Sequence, residues 1–135
     1  MFKKVNQIIT ASQLHNLIST PVQLIAAQGA GTVAVPFSLF MELNYGTIPY
    51  INLTSDLALT VNGTTMFPSQ PIPSAFLGST QNTVVYYLFY QSDKYGLDTS
   101  TINNQAIYLS NTGLTNLLLG DGTLTVEIQW STYNL

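Results

Sequence analysis

A short acidic turn near the carboxyl end, Gly120-Asp121-Gly122, is the most suggestive place for chemistry in the chain. An aspartate between glycines can ligate a cation, and it can equally favour a tight turn through hydrogen bonds with its own backbone. The turn follows an apolar stretch and precedes a strand-like segment, where glycines supply the positive φ that a tight connection needs. We therefore interpret Asp121 as a hinge residue, with a metal ligand as the alternative.

A second acidic segment, "SDKYGLDTS" over residues 92–100, brings Asp93 and Asp98 close to several hydroxyl side chains. Such oxygen atoms are the ligands that hard cations prefer, although the spacing matches no regular calcium-binding loop. The segment is interpreted as a solvated hairpin tip, and a bound cation is the alternative.

Catalytic residues are sparse. His15 is the single histidine, no G-x-S-x-G motif marks a nucleophile, and with no cysteine a zinc site would lack ligands. Two carboxylates could in principle cleave a glycoside, but nothing singles out a pair. The six candidates are Glu42, Asp56, Asp93, Asp98, Asp121 and Glu127. We expect no enzyme, no cofactor and no assigned catalytic or metal site, and His15 is interpreted as a surface or helix-packing residue.

Aromatic residues concentrate in one stretch that contains Tyr86, Tyr87, Phe89, Tyr90 and Tyr95. Tyrosine has a large apolar ring with a polar tip and is enriched at protein interfaces. We interpret the four tyrosines as sheet core and subunit contact. Stacking on a glycan is the alternative.

Alternation of apolar and polar residues predicts strands in several places. Odd-numbered residues 33–45 should share one face, with Pro36 at a sheet edge or a bulge. Residues 124–130 alternate in the same way, and Asn62-Gly63 predicts a hairpin. The segment "TVVYYLFYQ", residues 83–91, is apolar on both faces and predicts a central strand.

Other segments complete the predicted architecture. "PVQLIAA" and "QAIYLS" indicate further strands, and the proline-rich residues 67–79 indicate an extended loop. A capping box from Thr10 to Gln13 predicts a short helix over about 10–18, which Pro21 ends. Residues 1–9 are a candidate N-terminal arm or a frayed end. We expect an all-β fold, an antiparallel β-sandwich or jelly-roll-like domain spanning residues 1–135, with one short N-terminal helix.

Charge is unusually scarce, because only 7% of the residues are charged, arginine is absent, and the net charge is −3. Such a chain cannot neutralise many phosphates, so nucleic acid is excluded as a partner. No apolar run approaches the ~18 residues of a membrane helix, so a membrane partner is not expected either. Amides and hydroxyls replace the charges that usually keep monomers apart. We therefore expect a subunit of a protein assembly, made in the cytoplasm.

Two segments resemble small proteins encoded among the structural genes of tailed bacteriophages. These are "ASQLHNLISTPVQLIAAQGAGTVAVPFSLFMELNYGTIPY", residues 11–50, and the closing "GDGTLTVEIQWSTY", residues 120–133. Together they cover about two fifths of the chain, toward its two ends. Thr32 stands where the similar proteins often carry a lysine after Gly-Ala-Gly.

The resemblance implies a non-enzymatic virion protein. With the composition, it favours a capsid decoration, cement or head-accessory subunit that binds the major capsid protein or other virion proteins, as a homo-oligomer for which we suggest a trimer. The alternative is a tail or fibre module that binds a host receptor or a glycan.

Overall fold

The computed structural model describes residues 2–63, 65–67, 71–89 and 98–135, about half of which lie in antiparallel strands. The strands are β1 (Lys3–Ile9), β2 (Val22–Ile25), β3 (Thr32–Asn44), β4 (Tyr50–Ile51), β5 (Asp56–Val61), β6 (Thr65–Met66), β7 (Ile72–Pro73), β8 (Thr83–Leu88), β9 (Ile107–Asn111), β10 (Leu118–Leu119) and β11 (Thr123–Asn134). Two short α-helices, α1 (Ala11–His15) and α2 (Thr99–Ile102), and a 3-10 helix (Ser74–Gly78) connect them.

The strands form two main sheets with the connectivity of a jelly roll. The first sheet has the order β1-β11-β3-β8, and the second has the order β2-β9-β5-β6 with β7 also paired to β5. Eight strands form these two orders, which leave out β4, β7 and β10. Along the chain the first of the eight pairs with the last (β1 with β11), the second with the second-last (β2 with β9) and the third with the third-last (β3 with β8). The middle two, β5 and β6, pair with each other. This is a long hairpin rolled into two sheets. The predicted all-β sandwich is confirmed.

Apolar side chains from both sheets form one buried cluster between them. It includes Ile9, Leu39, Met41, Leu59, Leu109, Val126 and Ile128, each almost fully shielded from solvent. Leu14 and Leu17, from α1 and the turn after it, close one side of the cluster. Burial of such side chains is the main favourable term in folding, about 1.5–3 kcal/mol for each.

Strand β3 alternates as predicted only in its second half. Gln129 of β11 pairs with Ser38, but Trp130 pairs with Pro36, so Phe37 is an extra residue in a β-bulge. The bulge changes which residues face the core, and Ala34 and Pro36 are buried before it whereas Leu39 is buried after it. The prediction of one face for all odd-numbered residues therefore fails at Val35, which is only partly buried, whereas Val33 is buried as predicted. The bulge expected at Pro36 is confirmed.

Strand β8 is an edge strand in the described part of the chain, not the central strand predicted from its sequence. Thr83, Val85 and Tyr87 are partly buried toward the core, and Val84, Tyr86 and Leu88 are exposed. Its partner β3 lies along one edge of the strand, and within the described residues no second sheet covers its outer face. A sequence that is apolar on both faces therefore leaves one apolar face in solvent.

The first residues of the chain form a regular edge strand. Lys3–Ile9 pairs along its whole length with β11, from Lys3 opposite Trp130 to Ile9 opposite Leu124. The capping box is confirmed, because Thr10 Oγ1 accepts from the Gln13 backbone N–H and Gln13 Oε1 accepts from the Thr10 N–H. The helix is shorter than expected and ends at His15.

Two further helices had not been expected. The 3-10 helix at Ser74–Gly78 lies within the proline-rich segment predicted to be an extended loop, and β7 precedes it. Helix α2 follows Asp98, whose side chain accepts from the Ser100 N–H and so caps the helix. The one-helix expectation is wrong in this respect, because single helical turns are set by local capping and leave almost no periodic signal.

Candidate functional site

Asp121 fastens the loop between β3 and β4 to the start of β11. Its Oδ1 accepts hydrogen bonds from the backbone N–H groups of Thr47 at 2.8 Å and Ile48 at 2.9 Å, and its Oδ2 accepts from Thr47 Oγ1 at 2.6 Å. The Asp121 backbone N–H in turn donates to Ile48 O at 3.2 Å. The carboxylate thus cross-links two distant loops, in addition to the hydrogen bond with its own backbone that the hinge interpretation expected.

These hydrogen bonds favour the charged carboxylate. The Thr47 hydroxyl, followed by the Ile48 and Thr47 backbone N–H groups, lowers the pKa of Asp121 to about 2. A carboxylate that accepts several hydrogen bonds has its ionised form stabilised in this way. Asp121 therefore stays charged over the whole neutral and mildly acidic range.

The three glycines around Asp121 are required by close approach. A Cβ on Gly46 would collide with the Asp121 carboxylate, one on Gly120 with the Tyr50 ring, and one on Gly122 with the Asn44 carbonyl oxygen. Only Gly120 has the positive φ predicted for this turn, at +23°. These glycines thus let the Asp121 carboxylate, the Tyr50 ring and the Asn44 carbonyl oxygen lie close against the backbone.

Tyr50 lies directly beneath this junction. Its hydroxyl donates to Gly122 O at 2.6 Å, and burial, followed by the nearby charge of Asp121, raises the pKa of Tyr50 to about 12. The ring of His15 contacts the Tyr50 ring edge-on at 5.4 Å, which agrees with the helix-packing role expected for His15. His15 Nε2 is buried without a hydrogen-bond partner in the described residues.

The segments 46–52 and 112–121 carry a group of five large aliphatic side chains in solvent. We call this group the aliphatic tip; its members are Ile48, Ile51, Leu114, Leu118 and Leu119. Leu118 of β10 pairs with Ile51 of β4, and Asn52 Nδ2 donates to Asn116 O at 2.7 Å, so the two segments are held together. Leu114 is 99% exposed. Asp121 is the only charged residue in residues 46–52 and 112–121.

Leu119 has an unusual backbone conformation for its type. Its φ is +62°, a region in which a leucine costs roughly 1–2 kcal/mol because its Cβ crowds the backbone. Although Leu119 pairs with the buried Tyr50, its own side chain is 61% exposed. The fold therefore holds an apolar side chain in solvent at an energetic cost.

The predicted tyrosine cluster is divided by the sheet. Tyr86 is exposed on the outer face, where its ring lies 6.5 Å from that of Phe40 at an angle of 56°. Tyr87 points toward the core, and burial, followed by the charge of Asp56, raises its pKa. Tyr90 and Tyr95 lie outside the described residues. The interface or glycan role of the four tyrosines stays a prediction.

The predicted acidic sites take different positions. Glu42 and Glu127 share the outer face of the first sheet, and Lys4 Nζ lies 3.9 Å from Glu127 Oε2. Asp98 caps α2, and its hydrogen bonds with Ser100 lower its pKa; Asp93 lies outside the described residues. Within residues 2–63, 65–67, 71–89 and 98–135, no three acidic or histidine side chains are grouped closely enough to hold a metal ion.

A groove of about 440 Å³ lies beside α1. Amide side chains dominate its lining, namely Gln7, Gln13, Asn16 and Gln23. Neither this groove nor the aliphatic tip was predicted from the sequence. A signal for the tip is present in the run Leu117-Leu118-Leu119, because this run lies directly before the Gly-Asp-Gly turn and is too short to be a core strand.

The sequence matches no protein-family model, and it matches no curated protein. None of the helices in the described part of the chain is both long and apolar enough to cross a membrane.

Proposed function

We propose that this protein is a virion structural subunit, a capsid decoration or head-accessory protein that attaches to other virion proteins through the aliphatic tip. The observation that carries the proposal is the tip itself: five large aliphatic side chains in solvent, on two loops that Asp121 and Asn52 fasten together. A protein surface with a complementary apolar hollow is the partner that such a tip fits.

Composition and resemblance support the same class of function. A chain with 7% charged residues has few groups whose desolvation would oppose contact with another protein. The two segments that resemble tailed-phage structural proteins supply the context, a phage particle. Jelly rolls occur both in capsid proteins and in lectins, so the fold alone does not select between these functions.

The test compares a tip variant with a matched variant elsewhere. Particles of the encoding phage, assembled without this chain, are mixed with purified protein and separated by gradient sedimentation. Leu119→Asn should reduce the bound fraction about ten-fold, because a buried leucine side chain is worth about 1.5–3 kcal/mol. Ile8→Asn, which alters a side chain of similar exposure (64%) on β1, should bind as the wild type does.

A stability measurement separates binding from folding. Asparagine tolerates positive φ better than leucine, so Leu119→Asn should melt at or above the wild-type temperature while binding less. Full binding by Leu119→Asn, or mass spectrometry of wild-type particles that finds none of this chain, would refute the proposal.

A tail or fibre module that binds a glycan is the second candidate, and the amide-lined groove beside α1 favours it. Uncharged amides suit hydrogen bonds with the hydroxyls of a neutral sugar. Selective binding on a glycan array, lost in Gln13→Ala and retained in Leu119→Asn, would support this candidate over the first.

A further inference from the structure

Strand β8 has an edge with no partner among the described residues. The Phe89 N–H donates to Phe37 O at 3.0 Å, one step beyond the pair of Leu88 with Ser38. Hydrogen-bonded and non-hydrogen-bonded pairs alternate in an antiparallel ladder. The N–H and C=O groups of Val84, Tyr86 and Leu88 therefore point away from β3, toward the open edge.

This edge lacks the features that normally prevent sheets from joining. Exposed edges usually carry lysines, prolines or bulges. Residues 83–88, "TVVYYL", contain neither lysine nor proline, and their pairing with β3 is regular. The opposite edge of the same sheet, β1, carries Lys3 and Lys4. In the part of the chain that the structure describes, only the β1 edge of this sheet carries such protecting side chains.

The residues with free backbone groups also present apolar side chains. Val84 is 51% exposed, Tyr86 58% and Leu88 44%, all on the outer face of the sheet. A strand added to this edge would gain main-chain hydrogen bonds and would cover these side chains in the same contact.

We propose that the occupant of this edge is β8 of a second copy of this chain, in antiparallel orientation about a two-fold axis at Tyr86. In this register Tyr86 lies opposite Tyr86 of the second copy, and Val84 lies opposite its Leu88. Each of these is a hydrogen-bonded pair, because all three residues have outward backbone groups. The two four-stranded sheets then become one continuous sheet.

Charge at this edge does not oppose a second copy of the chain. Copies with a net charge of −3 repel one another generally, and β8 itself carries no charge. The nearest carboxylate across the ladder is Glu42 on β3, which lies opposite Val84. In the dimer the two β3 strands are three strand spacings apart, about 14 Å, which exceeds the screening length of about 8 Å at physiological salt.

The available area predicts a modest affinity. At these exposures the three side chains offer on the order of 300 Å² per copy, given 150–250 Å² for a large side chain. Stable interfaces use about 800 Å² per partner, so this contact is small, and the dimer should be weak and form only as the protein concentration rises. The contact is isologous and closes at two copies, in contrast to the trimer suggested from the sequence.

Cross-linking tests the position of the axis. The chain has no cysteine, so Tyr86→Cys introduces a single thiol, and a hydrogen-bonded antiparallel pair places its Cα atoms about 5.5 Å apart, within disulfide range. Mild oxidation of the full chain should give mainly covalent dimer. The matched control is Ile8→Cys on β1, which should cross-link only by random collision. Equal dimer yields from the two folded variants would overturn the proposal.

Sedimentation velocity tests the interface without cross-linking. The wild type should shift from monomer to dimer as its concentration rises, and Ile8→Lys should behave in the same way. Tyr86→Lys and Tyr86→Glu should each stay monomeric, because like charges then meet at the axis, and an equimolar mixture should recover dimer. A wild-type monomer at every concentration, a trimer, or a mixture no more dimeric than its components would overturn it. These measurements need no phage particle, so their outcome is independent of the proposed function.

Discussion

At the residue scale, Asp121 illustrates what the sequence can and cannot reveal. The glycines on either side predict a turn correctly, because few other residues suit so tight a connection. The partners of its carboxylate, Thr47 and Ile48, are 74 and 73 positions away and carry no local signal. Hydrogen bonds of this kind depend on how the sheets bring loops together, so the sequence predicted the hinge but not what it joins.

Asp121 should make stability depend on pH at the acidic end. Its pKa is about 2 in the folded protein and 3.8 in the unfolded reference, so the folded state prefers the charged form. Stability from Asp121 is fully present above pH 3.8 and is lost as the pH falls toward 2. Thermal melts of the wild type should therefore drop steeply across this window, and those of Asp121→Asn should drop less.

The pH experiment has a matched control in Asp98, whose pKa is also lowered but by hydrogen bonds within one helical turn. Asp98→Asn keeps the Asp121 carboxylate. Between neutral pH and pH ~2 its melting temperature should therefore fall further than that of Asp121→Asn. An Asp121→Asn protein with an unchanged acid response would show that the carboxylate does not anchor the loop.

At the element scale, alternation predicted strand positions well and strand environments less well. Strand β11 alternates without interruption, and its predicted core residues, Leu124, Val126, Ile128 and Trp130, are all buried. In β3 the alternation is broken by a bulge that follows from pairing with β11. In β8 the apolar composition was correct but burial was not, because burial depends on which strands lie beside and above it.

The buried hydroxyl pair between β5 and β9 gives a prediction at this scale. Thr60 Oγ1 and Ser110 Oγ lie 2.7 Å apart in the second sheet, and both residues are buried. Thr60→Val should lower the free energy of unfolding by about 1–2 kcal/mol, because it leaves the Ser110 hydroxyl without this partner. The double substitution Thr60→Val/Ser110→Ala should lower the free energy of unfolding by less than the sum of the two single effects, because no unpaired hydroxyl remains.

Urea unfolding of the four proteins in this cycle supplies the measurement. Leu59 and Leu109, which pair in the same two strands, are left unchanged throughout, so the apolar packing is common to all four. Additivity of the two single effects within about 0.5 kcal/mol would contradict the prediction.

At the scale of the whole molecule, fold class was predictable and connectivity was not. Alternating segments, close turns and few helical signals are enough to predict an all-β sandwich. The pairing of β1 with β11 joins the two ends of the chain, and no local pattern encodes so distant a contact. For the same reason the first nine residues, for which an arm or a frayed end was expected, could not be predicted as an edge strand.

Because charge is scarce, the association of this protein with its partners or with itself should depend little on ionic strength. The aliphatic tip and the β8 edge are both uncharged apart from the loop-bound Asp121, so contacts made through them should depend little on ionic strength. Raising NaCl from about 0.05 M to about 0.5 M should change the bound or dimeric fraction less than two-fold, because screening acts mainly on exposed charges. Ammonium sulfate should strengthen both contacts, since excluded salts favour apolar burial. Sedimentation across both salt series measures this directly, and a ten-fold loss in NaCl would show that ion pairs, rather than apolar side chains, hold the assembly together.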